Sequence, residues 1–594
     1  MIGVIPRQSP SARYLEEVLR HAGLAWQALR ADEQVADGAR GGVIVLAAGG
    51  TLPAETRAWL GEFVRQGGAL VVSGGTAGLD ELLGVAAAGA LAEGYLTGDA
   101  SHPVTTGLTS SLHVFGATRL RATTGTSLAR LLDADRQPTG ADAIVLREVG
   151  RGLALTIAAD LPGSILRIQQ GRSIDSDGVP APDGTAPVDD GILKTDDGVV
   201  LSWTHDRERT TLAEPVPDDC PGKHPDFPRG DTPWFAQPIA DELRVLLLRA
   251  IGWAATATGQ ALPAMGYWPR GLPAVGLISH DSDHNIDETA RTTLGILDRA
   301  GIKSTWCNAW SPVWPGRYTA ETHKLVKAAG HEIALHYNAL PVDGGAWGED
   351  EFRTQLAWLR QDTGVEQVVS NKNHYLRWEG EVEFFRWLEA AGIACDQSKG
   401  PSKKGNVGYP HGSCQTWFPY DVDAGRFIDV LEIPLQTQDL WWTTPYTTGP
   451  ASVAQARKHH GVAHFLFHQV HLHRQPAVAQ ALLDVVAEGR AQGLEWWTSA
   501  QINDWARARR AISITSEPNG DMALRLRIAS QAALAGATLT VLPPANMAGR
   551  PARARTASGA TVPTRAGDFH GLPAIALDID LAAGTTVVDL YFQA

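Results

Sequence analysis

The chain has 594 residues, with 51 Lys and Arg against 65 Asp and Glu and a formal net charge of -14. It offers no basic run to displace counterions, which excludes a nucleic-acid backbone as partner, and its length exceeds one ordinary core, so several domains are expected. Cys220, Cys307, Cys395 and Cys414 form no CxxC pair, which argues against a thiol zinc site or a disulfide framework, and with no signal segment or 18-residue apolar run the expectation is a cytoplasmic or a trimmed secreted protein.

In chain order, Met1 to Ile5, Gly42 to Leu46 and Ala69 to Val72 read as buried strands, and Ser11 to Ala22 and Ala54 to Gln66 as amphipathic helices. The alternation predicts a parallel sheet with flanking helices across a first domain of residues 1–262. Gly-rich strand ends at 48–51 and 73–76 are neither GxGxxG nor a phosphate loop. The texture resembles the glutamine-amidotransferase-like, flavodoxin-type folds. That activity needs a cysteine at a strand-to-helix elbow, and none precedes Cys220, so the resemblance implies a domain without amidotransferase chemistry.

From about 172 to 233 the pattern breaks into a Asp-, Gly- and Pro-rich insertion. A segment of that length is usually functional or poorly ordered; a solvated insertion is preferred over a cover for the active site, and EF-hand spacing is absent. A helix from Ile239 to Thr256 and a proline-bearing linker, Leu262 to Arg270, close the domain.

Residues 270–508 repeat a strand-helix beat, which predicts an irregular (β/α) barrel with its site at the C-terminal ends of the strands. The strand Ala274 to Ile278 runs into His280-Asp-Ser-Asp-His284, where one carboxylate could bind a metal while the other takes a proton. Strands are expected at Ile302 to Cys307, Glu332 to Leu335, Glu366 to Val369, Ile393 to Cys395, Val430 to Pro434, Phe465 to Phe467 and Leu494 to Trp497. Asp281, Asp283, His336, His374, Asp396, Asp439 and His468 all follow strand ends, so they share one predicted rim; scattered surface groups would not. Each alone has a plainer role, His336 as a hydrogen-bonded structural histidine; beside them His331 reads as structural, His471 and His473 as wall residues, and His284 as either a support behind the site or solvent-facing.

These segments resemble the NodB-like polysaccharide deacetylases of carbohydrate esterase family four, over residues 272 to 508. Ile278-Ser-His-Asp-Ser-Asp283 resembles the first motif, Gly330-His-Glu-Ile-Ala-Leu-His336 the second, and Ala463-His-Phe-Leu-Phe-His468 the late leucine-histidine motif. The resemblance implies Asp281 as general base, Asp283 and His336 as ligands of a divalent metal with zinc the first candidate, and His468 as general acid. Two departures stand out. The first motif has a serine between its aspartates, and the second ligand histidine is replaced by Leu340. His374 could supply the third ligand, Lys372 or Arg377 could orient the base, and Asp439 or Asp396 could tune His468. Trp306, Trp310, Trp314, Trp378, Trp441 and Trp442 lie on or near rim segments, suited to sugar faces or to core packing.

Residues 511–594 change to a period of two, with Leu524, Leu526 and Ile528 alternating with Arg525 and Arg527. This predicts a small β-sandwich with a structural or docking role. The expected function is removal of N-acetyl groups from an amino-sugar polysaccharide or glycoconjugate. The alternatives are a small amide or ester hydrolase of the same mechanism, or a non-catalytic glycan-binding or assembly protein.

Overall fold

The computed structural model describes residues 2–29, 42–47, 49–185, 190–210, 232–314, 316–402 and 406–593; Cys220 and most of the second half of the insertion lie outside them. The chain forms two compact units, Met1–Arg167 with Glu242–Gly271 and Ala506–Ala594, and Ile168–Asp241 with Leu272–Trp505, where three consecutive domains were expected.

In the first of these units, Trp26–Ala28, Ile2–Val4, Val43–Leu46, Ala69–Ser73 and Gly152–Ile157 lie side by side in parallel. The sheet then turns antiparallel. Val85–Gly98, Leu112–Ala122, Pro138–Val149 and Thr126–Leu132 pair in a closed ring, a small antiparallel barrel. The predicted parallel sheet is therefore only half of this region, because the strands between Val85 and Val149 are joined without crossover helices and pair antiparallel. The C-terminal residues form two antiparallel sheets. Leu262–Met265, expected as a linker, is an edge strand there, pairing Leu262 with Leu542 and Met265 with Leu539; an edge tolerates Pro263, which has no N–H to give.

The other unit carries a parallel sheet. Its strands are β1 (Val275–Asp281), β2 (Thr305–Ala309), β3 (Glu332–Tyr337), β4 (Ser370–Asn373), β5 (Cys395–Asp396), β6 (Leu431–Glu432), β7 (Thr437–Gln438), β8 (Val462–Leu466) and β9 (Glu495–Trp496). They lie in the order β6-β5-β4-β3-β2-β1-β8-β7, with β9 also on β1. Parallel neighbours need long crossovers, which here include the helices Asp287–Ala300, Ala320–Ala328, Glu349–Thr363 and Glu383–Ala391. Gly301 and Gly392 end two of them at φ 63° and 76°, left-handed caps that an L side chain rarely adopts. Among the described residues no ladder joins β6 to β7, so the sheet is a half-barrel. Residues 433–436, including Pro434, carry the chain from one edge to the other.

Ile278, Trp306, Leu335, Trp378, Phe384 and Phe465 belong to one buried core, and burying each such side chain contributes about 1.5–3 kcal/mol. At the N-terminal ends of the strands Glu332 accepts from Thr305, Ser370, Ser499 and the Ala500 N–H at 2.7–2.9 Å. Glu332 thereby gathers the polar side chains at that end into one network.

One strand differs from expectation. The apolar stretch ending at Val369 precedes β4, and the ladder is formed by Ser370, Asn371, Lys372 and Asn373, all fully buried. Hydrophobic pattern cannot see such a strand. The insertion also differs: Ile174 joins the core, Ile174 pairs with Gly380 and Lys194 with Arg377. Thr195 Oγ1 donates to the Gly400 carbonyl at 3.1 Å, and Ser402 and Asn406 donate to Asp196 at 2.6–2.9 Å. Ile174 and residues 194–198 therefore form a strap over the loops that follow β4 and β5, while 179–180, 182–184 and 190–191 are exposed, as expected of a solvated insertion.

Candidate active site

Asp281 is the last residue of β1, and the chain turns sharply beyond it. His284 and Asn285 sit in the left-handed region at φ 64° and 47°, uncommon for side chains with a Cβ but least so for Asn and His. The Asn285 amide donates to the Ala309 carbonyl at 2.7 Å and accepts from Ser282 Oγ at 2.5 Å. The turn folds Asp283 back over the strand ends.

There Asp283 meets two imidazoles. Its Oδ1 lies 3.6 Å from His336 Nε2 and 3.5 Å from His374 Nδ1, and the two nitrogens are 3.0 Å apart. One ligand atom from each residue falls within 4.8 Å of the others. His336 Nδ1 is 2.8 Å from the Lys372 carbonyl, which only accepts, so the proton is on Nδ1 and the Nε2 lone pair faces Asp283. Asp283 Oδ1 is buried without a hydrogen-bond partner. Two imidazole nitrogens and an orphaned carboxylate oxygen, all facing one point, fit a divalent cation. Burial pushes the Asp283 carboxyl up, but His374, His336 and His468 outweigh it and hold the group well below the usual carboxylate range. Leu340 is buried and offers no ligand atom.

Asp281 has a different set of partners. Lys372 Nζ is 3.0 Å from its Oδ1 and 2.6 Å from Ser279 Oγ, while its Oδ2 is 3.5 Å from His336 Nε2. Burial raises this carboxyl too, but His336, Lys372 and His468 prevail and lower it, so it stands ionised. Arg377 is elsewhere, paired with Glu379.

His468 caps β8. Asp439 reaches it twice, accepting the His468 backbone N–H at 2.8 Å and approaching Nδ1 at 2.5 Å. Asp439 adopts φ 40° directly after β7, a strained position that aims its buried carboxylate. Burial disfavours the His468 imidazolium, yet Asp439, then Asp283 and Asp281, more than compensate and push its pKa up to about 10. The free Nε2 lies 3.9 Å from Asp281 Oδ2 and 3.8 Å from Asp283 Oδ2.

Asp396 is not near His468. It accepts from Asn371 and Ser398 on the other face of the sheet. Trp306 and Trp378 are core residues, whereas Trp314 lies edge-on to His374 with ring centroids 5.7 Å apart. Trp441 stacks on Tyr446 at 5.5 Å, and Trp442 lies tilted against His471 with ring centroids 4.8 Å apart. His471 Nε2 also comes within 4.0 Å of Asp439.

One residue at the site escaped sequence reasoning. Asp343 Oδ2 lies 3.5 Å from His374 Nε2, and the His374 contact first, with Trp314 and Asn338 also donating against the effect of burial, holds its carboxyl low. The available signal was that Asp343 is the only ionisable residue between Asn338 and Gly348.

No protein-family model matches the chain, and none of the curated proteins does. Several solved structures are similar. The carbohydrate deacetylase Agd3 is 10% identical with a TM-score of 0.41, over 100% of this chain and 99% of that one. A Mycobacterium smegmatis protein assigned as a polysaccharide deacetylase is 18% identical with a TM-score of 0.33, over 43% of this chain and 98% of that one. A β-galactosidase from Rahnella sp. R3 is 16% identical with a TM-score of 0.23, over 27% of this chain and 28% of that one; the chain thus spans under a third of the galactosidase's length.

Proposed function

We propose that the chain is a metal-dependent hydrolase that removes N-acetyl groups from an amino-sugar polysaccharide or glycoconjugate. The observation that carries this reading is the meeting at one rim of an ionised, lysine-paired Asp281, the Asp283, His336 and His374 ligand set, and a His468 held protonated by Asp439. The substrate class comes from the resemblance of 278–283, 330–336 and 463–468 to the NodB-like deacetylases.

A divalent cation held by Asp283, His336 and His374 supplies a Lewis acid that makes water acidic and steadies negative charge on oxygen. Asp281 accepts a proton from the water as its oxygen adds to the acetamide carbonyl carbon. Lys372 keeps Asp281 ionised until then and fixes its orientation through Ser279. As the C–N bond breaks, the His468 imidazolium gives its Nε2 proton to the departing amine, otherwise a poor leaving group, and acetate and the free amino sugar remain. Base and acid are 3.9 Å apart at their nearest atoms, so both proton transfers take place in one small volume.

Acetate release from partly acetylated amino-sugar oligomers tests the reading. The metal-replete protein is expected to release acetate and Asp283→Ala is not; a metal-replete protein inert on every acetylated glycan would contradict it.

A further inference from the structure

The loop after β3 places a carboxylate behind His374. Leu340, standing where the deacetylase resemblance leads one to look for a histidine, is buried, and its N–H donates to Asn338 Oδ1 at 3.1 Å. That bond starts a tight turn, Pro341–Asp343, closed by the Asp343 N–H on the Leu340 carbonyl at 3.0 Å. At its end the Asp343 carboxylate is held on both oxygens: Trp314 Nε1 donates to Oδ1 at 3.1 Å, and Asn338 Nδ2 reaches Oδ2 at 3.4 Å. Ser311 Oγ ties down the Asp343 carbonyl at 2.6 Å.

A carboxylate anchored so many times is not there for solvent. Its Oδ2 faces His374 Nε2 at 3.5 Å, while the opposite ring nitrogen, Nδ1, faces His336 and Asp283. An acceptor-only carboxylate requires the proton on Nε2, which leaves the Nδ1 lone pair for the cation. We infer that Asp343 is the positioning residue for His374: it fixes the tautomer and ring orientation that make Nδ1 a metal ligand. The loop that lacks a ligand histidine thus supports the ligand that follows the next strand. This rests on the metal-site reading above.

The test is zinc affinity of the metal-stripped full-length chain, by competition with a chromophoric chelator. Wild type is expected to bind one equivalent. Asp343→Ala is expected to bind one equivalent about 10- to 100-fold more weakly, with Asp343→Asn, which still accepts from Nε2–H, in between. Trp314→Phe, which frees one oxygen of Asp343, is expected to weaken binding by a smaller factor, and it decides the matter if Asp343→Ala folds poorly by circular dichroism. Wild-type affinity in Asp343→Ala, or in both Asp343→Asn and Trp314→Phe, overturns the inference while leaving the metal site standing. No uptake by the wild type overturns both.

Discussion

Lys372 Nζ lies 3.0 Å from Asp281 Oδ1, and neither residue is more than 3% exposed. A buried charge tolerates the loss of water only with its partner in place. Lys372→Met is therefore expected to destabilise the protein by about 3–5 kcal/mol. It should also favour protonation of Asp281, lowering kcat by about 10²- to 10⁴-fold. Thermal melting and acetate release check the two effects separately.

Asp439 sets the pH response of His468. The raised pKa, about 10 in the folded chain against about 6.5 for an unperturbed histidine, means that the stabilisation is fully present below pH about 6.5 and is lost as pH rises through about 10. In metal-free protein, wild-type melting temperatures are expected to fall across this window and those of His468→Gln to fall less. Equal slopes in the two proteins would contradict the assignment.

The strap formed by the insertion has its own test. Asp196 is buried and accepts from Ser402 and Asn406. Asp196→Ala removes the acceptor these two donors share, at a cost of about 1–3 kcal/mol. Hydrogen exchange is expected to quicken in residues 398–402 and 406–408, with β1 and β2 unaffected.

Much of the rim was legible because β1, β3 and β8 are apolar runs that end abruptly in Asp or His, and a parallel sheet places such ends together. Asp281, His336 and His468 follow from that pattern alone. Less legible was whatever depended on polar residues doing structural work. Ser370 to Asn373 contains no apolar residue, so periodicity points to 366–369 for this strand and leaves Lys372 in the loop beyond it. Asp439 follows a two-residue strand, Thr437–Gln438, too short to carry a period. Linear spacing does not separate Arg377 from Lys372 as a partner for Asp281; the ladder does, because it sets Lys372 against Asp281 and leaves Arg377 paired with Glu379. Asp343 depends on a turn that Leu340 and Asn338 build between them, a relation no linear spacing reveals. The first domain misled for another reason: its opening strands are regular, whereas the closed ring after residue 84 depends on long-range pairing.

The ligand set carries the account, and one titration addresses it. Metal-stripped wild type, Asp283→Ala and His374→Ala would each be titrated with zinc while acetate release from a partly acetylated amino-sugar oligomer is followed. Activity returning in the wild type at one equivalent, with neither variant recovering at the same concentration, is the predicted result. Full activity in the stripped protein, or wild-type recovery in His374→Ala, would contradict it.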